Sequence, residues 1–104
     1  PMFRGILSTI YIDLKPGISI NKIQNVLKKF HIKNKFVKIS KIDSMLSTND
    51  VINTNQCHIS VCKIKDKNKA VILSTIDNLI KGGAGQAIQN LNLKFGFNVN
   101  EGLK

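Results

Sequence analysis

At 104 residues the chain can bury one modest core but cannot hold a dinucleotide fold together with a substrate domain. Its 42% hydrophobic, 21% charged and 6% aromatic content is that of an ordinary globular domain, and no apolar run approaches the roughly 20 residues that a bilayer span needs. A net charge of +10 raises nucleic acid as a partner, yet only Arg4 among the 16 basic residues is arginine, and the lysines are scattered instead of forming one stripe with exposed aromatics.

The opening Pro1-Met2-Phe3-Arg4-Gly5 has no initiator methionine and no basic region followed by an apolar one. It reads as the start of a piece of a longer, cytoplasmic protein without a secretory leader. From Arg4 to Leu14 the residues alternate, with Ile6, Ser8, Ile10, Ile12 and Leu14 on one face and Leu7, Thr9, Tyr11 and Asp13 on the other, the period of a strand. Pro16-Gly17 ends it in a turn. Ser19 is a candidate N-cap, and Ile18 with Ile23 can form a hydrophobic staple. Ile20, Ile23, Val26, Leu27 and Phe30 then recur at helical spacing, with Lys28 and Lys29 placed at the negative pole of the helix.

Phe36-Val37-Lys38-Ile39 is a short strand, and Ser44 to Asn49 is polar enough for a loop. Gln56 to Lys65 alternates again. Asp66-Lys67-Asn68-Lys69 connects it as a hairpin to Ala70-Val71-Ile72-Leu73-Ser74-Thr75-Ile76, an apolar run expected in a central strand covered on both faces. A glycine cluster, Gly82-Gly83-Ala84-Gly85, opens a last helix with Ala84, Ile88, Leu91 and Phe95 on one face and Gly96 as its stop. The order implies an α+β fold with a mixed or largely antiparallel sheet and two helices.

Cys57 and Cys62 lie five positions apart in a strand, hence on opposite faces, so they cannot pair. They lack the spacing of a zinc site, and no metal centre is expected. His31, closing a helix, and His58, inside a strand, read as packing or surface residues. The glycines are more informative. Each costs about 0.5–1 kcal/mol relative to alanine in a helix, so either a left-handed backbone or a close approach requires them. A helix amino terminus flanked by Lys81 suits an anion or an amide, although a simple glycine-rich joint accounts for the same residues equally well. No lysine-serine or lysine-threonine follows as in a P-loop, and Ile88 stands where a dinucleotide fingerprint needs a small residue.

The run from Asp77-Asn78-Leu79-Ile80-Lys81-Gly82-Gly83-Ala84-Gly85-Gln86 to Leu93, with Phe95-Gly96, closely resembles the carboxyl-terminal signature of N-acetyl-gamma-glutamyl-phosphate reductases. Pro1 to Tyr11 resembles the strand that follows the catalytic histidine of that family. Pro16-Gly17-Ile18-Ser19 and Thr54-Asn55-Gln56-Cys57 agree in order and spacing. The resemblance implies the carboxyl-terminal catalytic and dimerisation part of a glyceraldehyde-3-phosphate-dehydrogenase-like enzyme, whose Rossmann part binds NADP. There a cysteine thiolate displaces phosphate from an acyl phosphate, the thioacyl-enzyme is reduced by hydride, and a histidine serves as general acid and base. Both catalytic residues are expected before Pro1.

On this resemblance residues 1–79 form a partial catalytic and oligomerisation domain, and residues 80–104 a helix that packs on the Rossmann part. A homo-oligomer is expected, with neither nucleic acid nor membrane as partner. Arg4 is the candidate substrate residue, its fork suited to phosphate or carboxylate, although a structural ion pair would use the same residue. Asn78, Lys81, Gly82, Gly83, Gly85 and Gln86 are the candidates for a cofactor-facing turn. Two alternatives stay open: the lysine-pathway enzyme acting on an acylated aminoadipyl phosphate, and a basic nucleic-acid-binding module. Binding to DNA is expected to be weak and sequence-independent; steeply salt-dependent retention on DNA, or a specific complex tight at physiological salt, would favour the basic module.

Overall fold

Branched residues in alternation are best accommodated on a pleated surface, and two of the four strands arise from such runs. The computed structural model describes residues 3–104. Strand β1 spans Ile6–Asp13, helix α1 Ile20–His31, β2 Val37–Ile39, β3 Cys57–Lys63, β4 Lys69–Ile76 and helix α2 Gly85–Phe95. The sheet has the order β1-β4-β3-β2. β4 is antiparallel to both β1 and β3, whereas β2 is parallel to β3. The fold is therefore α+β with a mixed sheet, as the order of elements implied.

The register places Ile10 beside Ile72, and Ile72 beside Val61, on one face. Cys57 and Cys62 lie on opposite faces, both as free thiols. Val61 and Ala70 on one face, and Ser60, Val71 and Thr75 on the other, are all buried. The central pair β3 and β4 is thus covered on both sides, whereas the edge strand β1 leaves Ile6, Leu7, Ile10 and Tyr11 exposed.

Helix α1 carries the chain across the sheet from β1 to β2 and packs on β2 and β3. Ser19 is its N-cap, the hydroxyl accepting from the Lys22 N–H at 3.2 Å, and Lys28, Lys29 and His31 occupy its last turn. Only part of its apolar stripe faces the sheet. Val26 and Phe30 point outward, while the buried polar Gln24 donates to the Ser40 carbonyl at 2.8 Å. Beyond β2 the backbone continues along β3, with Ser40 and Asp43 N–H groups bonded to the Ile59 and Val61 carbonyls. The polar stretch expected as loop contains a short 3₁₀ turn, Thr48–Asp50. A capping box closes it: Ser47 and Asp50 satisfy each other's backbone donors, the pairing for which Ser-x-x-acid spacing is suited.

The described domain is a slab of 43 × 35 × 18 Å, thick enough for one sheet and one helical layer. Its buried apolar residues are few: Phe36, Val51, Val61, Ala70 and Val71. α2 ends where expected, at Gly96 in the left-handed region (φ 73°), and the tail beyond it folds back. Asn92 donates to the Val99 and Glu101 carbonyls, and the Asn55 N–H reaches the Lys104 carbonyl at 2.6 Å.

Candidate functional site

β4 leaves the sheet at Ile76, and the next residue, Asp77, is fully buried. Its Oδ1 accepts from the N–H groups of Leu79 (2.8 Å) and Ile80 (3.0 Å), the geometry of an Asx turn. Its Oδ2 accepts from the Asn53 N–H at 2.8 Å and lies 2.8 Å from Arg4 Nε. Arg4 Nε makes no well-directed hydrogen bond, so that contact is an ion pair held by charge. Burial alone would raise the carboxyl pKa. The Asn53 N–H, the Arg4 guanidinium, and the Ile80 and Leu79 N–H groups outweigh it and hold the pKa at about 2.

Four segments meet at this carboxylate: the entry to β1, the loop before β3, the end of β4 and the turn before α2. Asn78 strengthens the junction by accepting the Gly5 N–H at 2.7 Å. Gly5 itself is left-handed (φ +106°), and a Cβ there would come within 2.7 Å of the Thr48 Cβ. The sequence pattern missed Asp77 as a site residue. Its signal was local: an aspartate closing an apolar strand two residues before a run of backbone donors, with one arginine in the chain to pair it.

The glycine cluster was expected to open an α-helix and to present free N–H groups. The chain instead makes one wide π-type turn over Ile80–Ala84, with a kink at Gly83 (φ −149°, ψ −116°), before α2 begins at Gly85. In this turn the Gly82 N–H bonds to the Asp77 carbonyl at 2.9 Å, the Ala84 N–H to the Leu79 carbonyl at 3.0 Å, and the Gly85 N–H to the Ile80 carbonyl. These donors are therefore consumed inside the turn, because five-residue spacing lets each reach back to a strand-end carbonyl.

Gly85 has a packing reason of its own. A Cβ there would lie 2.5 Å from Asn55 Oδ1 and 2.8 Å from the Ile80 carbonyl oxygen. Gly82 and Gly83 are exposed. A Cβ would meet Ile76 Cδ1 at 3.3 Å from Gly82, and only the Asn78 carbonyl, at 3.4 Å, from Gly83. The outer side of the turn is thus open to close approach at Gly83.

Lys81 folds inward. Its Nζ donates to Gln89 Oε1 at 2.7 Å and sits 5.5 Å from the centroid of the Phe36 ring. Burial lowers its pKa, against an opposing influence of Cys57. Asn55, fully buried, donates to the same Gln89 oxygen at 2.9 Å. Gln86 is half-buried and bonds along the helix to Asn90 at 2.9 Å. The structure therefore brings Arg4, Asn78 and the start of the turn to one end of the sheet, while Lys81 and Gln89 bind α2 to the domain.

His58 is held below its ordinary pKa by burial and by Lys38, against Asp50. Among the described residues no three His, Cys, Asp or Glu side chains are grouped to hold a metal, and no helix is long and apolar enough to cross a membrane.

The fold and this junction define an α+β domain whose sheet end joins a cationic arm to a glycine turn. Residues 1–78 match the family described as semialdehyde dehydrogenase, dimerisation domain, and the chain belongs to that family. It is 45% identical over 103 residues to the N-acetyl-gamma-glutamyl-phosphate reductase of Clostridium botulinum (strain Eklund 17B / Type B), covering 99% of this chain and 30% of the relative. Reductases of the same name from Thermoanaerobacter pseudethanolicus, 42% identical, and Acinetobacter baumannii (strain AYE), 43% identical, match 99% and 100% of the chain and 30% of their own lengths. The chain thus spans about 30% of the length of the curated relatives it matches.

Two outcomes follow from this geometry. Gly85→Ala is expected to cost about 1–3 kcal/mol by overpacking, and Gly82→Ala much less because only a flexible side-chain end must move; equal losses in denaturant unfolding would contradict the packing at Gly85. The Asp77 pKa lies below its unfolded value of 3.8, so its stabilisation is complete above that value and is lost as pH falls toward 2. Acid unfolding of the native protein is expected to show about 2 kcal/mol of stability lost in this window, a loss that Asp77→Asn abolishes. Identical acid limbs would contradict it.

Proposed function

We propose that this chain is the carboxyl-terminal part of an NADPH-dependent N-acetyl-gamma-glutamyl-phosphate reductase, which converts N-acetyl-gamma-glutamyl phosphate to N-acetylglutamate semialdehyde and phosphate in arginine biosynthesis. The observation that carries this reading is the junction at Asp77, where the arginine and the glycine turn are held together at one sheet end. Near-complete coverage of the chain by relatives bearing that name supports it.

In this reading Arg4 binds the anionic end of the substrate. Its side chain is 30% exposed, so the guanidinium is reachable while its Nε is held. The cofactor-facing turn comprises Asn78, Lys81, Gly82, Gly83, Gly85 and Gln86. Gly83 fits the close approach of a flat ring because its outer side is open, whereas Gly82 and Gly85 contribute backbone shape and not donors. NADPH, when bound, supplies the hydride. The nucleophilic cysteine and the acid-base histidine belong to the part of the reductase that precedes this chain, since Cys57 and His58 lie within the sheet.

Residues 80–104 dock on the Rossmann part in this reading. Ile88, Leu91 and Phe95 form a stripe along α2 that is 41%, 49% and 64% exposed, an apolar surface that needs a cover. The outward-facing Val26 and Phe30 on α1, and the exposed strand β1, suit a second copy. The enzyme works in the cytoplasm on a small acyl phosphate.

The complete protein, assayed in the reverse direction with N-acetylglutamate semialdehyde, is expected to reduce NADP in a strictly phosphate-dependent manner. Turnover without phosphate would exclude acyl-phosphate chemistry; equal use of NAD would remove the NADP assignment; and faster turnover of the aminoadipyl homologue would favour the lysine-pathway enzyme. The 104-residue chain alone is expected to be inactive, and measurable substrate-dependent NADPH oxidation by it would contradict the division of labour described here.

A further inference from the structure

We propose that Asp77 is a positioning residue for the reaction: it holds the Arg4 guanidinium by its Nε edge and thereby presents the remainder of the fork to the phosphate of the substrate. This rests on the reductase reading above. Both carboxylate oxygens are fully committed, Oδ1 to the Leu79 and Ile80 N–H groups and Oδ2 to the Asn53 N–H and Arg4. A carboxylate fixed by three backbone donors cannot move to follow a mobile arginine, so the 2.8 Å ion pair sets where the Nε side of the guanidinium lies. The same donors spread part of the negative charge into the backbone, which leaves the guanidinium more able to attract an external anion than in a simple ion pair.

The arm is fixed at its base as well. Asn78 Oδ1 holds the Gly5 N–H at 2.7 Å, and the left-handed Gly5 packs so tightly on Thr48 that a Cβ would come within 2.7 Å. The backbone beside Arg4 and the far end of its side chain are therefore tied to consecutive residues, Asn78 and Asp77, at the start of the glycine turn. A movement of that turn is transmitted to the arginine. A substrate-binding arginine and a cofactor-facing turn thus share one anchor.

The test uses the complete protein in the reverse assay, with inorganic phosphate as the probe of Arg4. Arg4→Gln is expected to raise the KM for phosphate by about tenfold to a hundredfold, the loss of one charge-assisted contact, with the KM for NADP within about twofold of the native value. Asp77→Asn is expected to produce a phosphate effect of the same direction, and the double variant to add little to it, as for two residues acting through one contact. Arg4→Lys serves where Asp77→Asn does not fold, because lysine can pair with Asp77 by charge but then has no second nitrogen to offer the phosphate. It too is expected to raise the phosphate KM.

A folded Asp77→Asn enzyme with lowered thermal stability and a native phosphate KM would overturn the proposal and leave a purely structural ion pair. A native phosphate KM in Arg4→Lys would overturn it as well. Should Arg4→Gln alone leave the phosphate KM unchanged, both the substrate role of Arg4 and its positioning by Asp77 fall, while phosphate-dependent turnover by the native protein would leave the reductase reading standing. Absence of that turnover in the native protein would remove the reductase reading and the proposal together.

Discussion

The carboxylate of Asp77 has no surface open to water, and its stability depends on the four groups that surround it: the N–H groups of Asn53, Leu79 and Ile80, and Arg4. A buried anion is costly unless its lone pairs are met, so these four groups must arrive together, and they come from three different parts of the chain. The interaction therefore fixes more than a local turn. It sets where β1 begins, where the loop before β3 comes to rest and how β4 hands over to α2. Once the first donors of the turn point at Asp77, the following N–H groups reach back to the Asp77, Leu79 and Ile80 carbonyls, and the wide turn results.

α2 is attached to the slab by polar contacts more than by apolar ones. Asn55 and Lys81 both donate to Gln89, Gly85 permits the close approach to Asn55, and Asn92 gathers the returning tail. The apolar side of α2 stays outside, as do parts of α1 and β1. A slab 18 Å thick has too little interior for all its apolar side chains, and those left over collect along the edge strand and the outer helix faces. An exposed stripe of this kind is the physical form that a dimerisation domain takes when it is viewed without the surfaces that cover it.

The regular elements were legible because their causes are local. Alternation in Ile6 to Asp13 and in Cys57 to Lys63, the continuous apolar run of β4, the Ser19 cap and the Gly96 stop each depend on near neighbours in sequence. The 3₁₀ turn at Thr48–Asp50 was missed, although Ser47 and Asp50 carry the spacing of a capping box, because the segment is polar throughout and offers no apolar periodicity. The glycine cluster was recognised as special, but its free-donor role was misjudged. Whether an N–H at a helix start is free depends on which carbonyls lie within reach, and here the strand end supplies them.

Arg4 and the residues from Asn78 to Gln86 stood out in the sequence by residue type and by resemblance, and that was enough to name the family and the chemistry it implies. Sequence by itself determined the α+β class, the order of strands and helices, the faces of each strand, the Ser19 start of α1 and the Gly96 stop of α2, since all of these follow from residue spacing and side-chain shape. Only the tertiary structure decided that Arg4 pairs with Asp77, 73 positions away, that Lys81 turns inward to Gln89, and that Gly85 is required by Asn55. Those partners are set by how β4 brings the two ends of the chain to one side of the sheet. Contacts between residues so far apart in sequence leave no periodic trace in it.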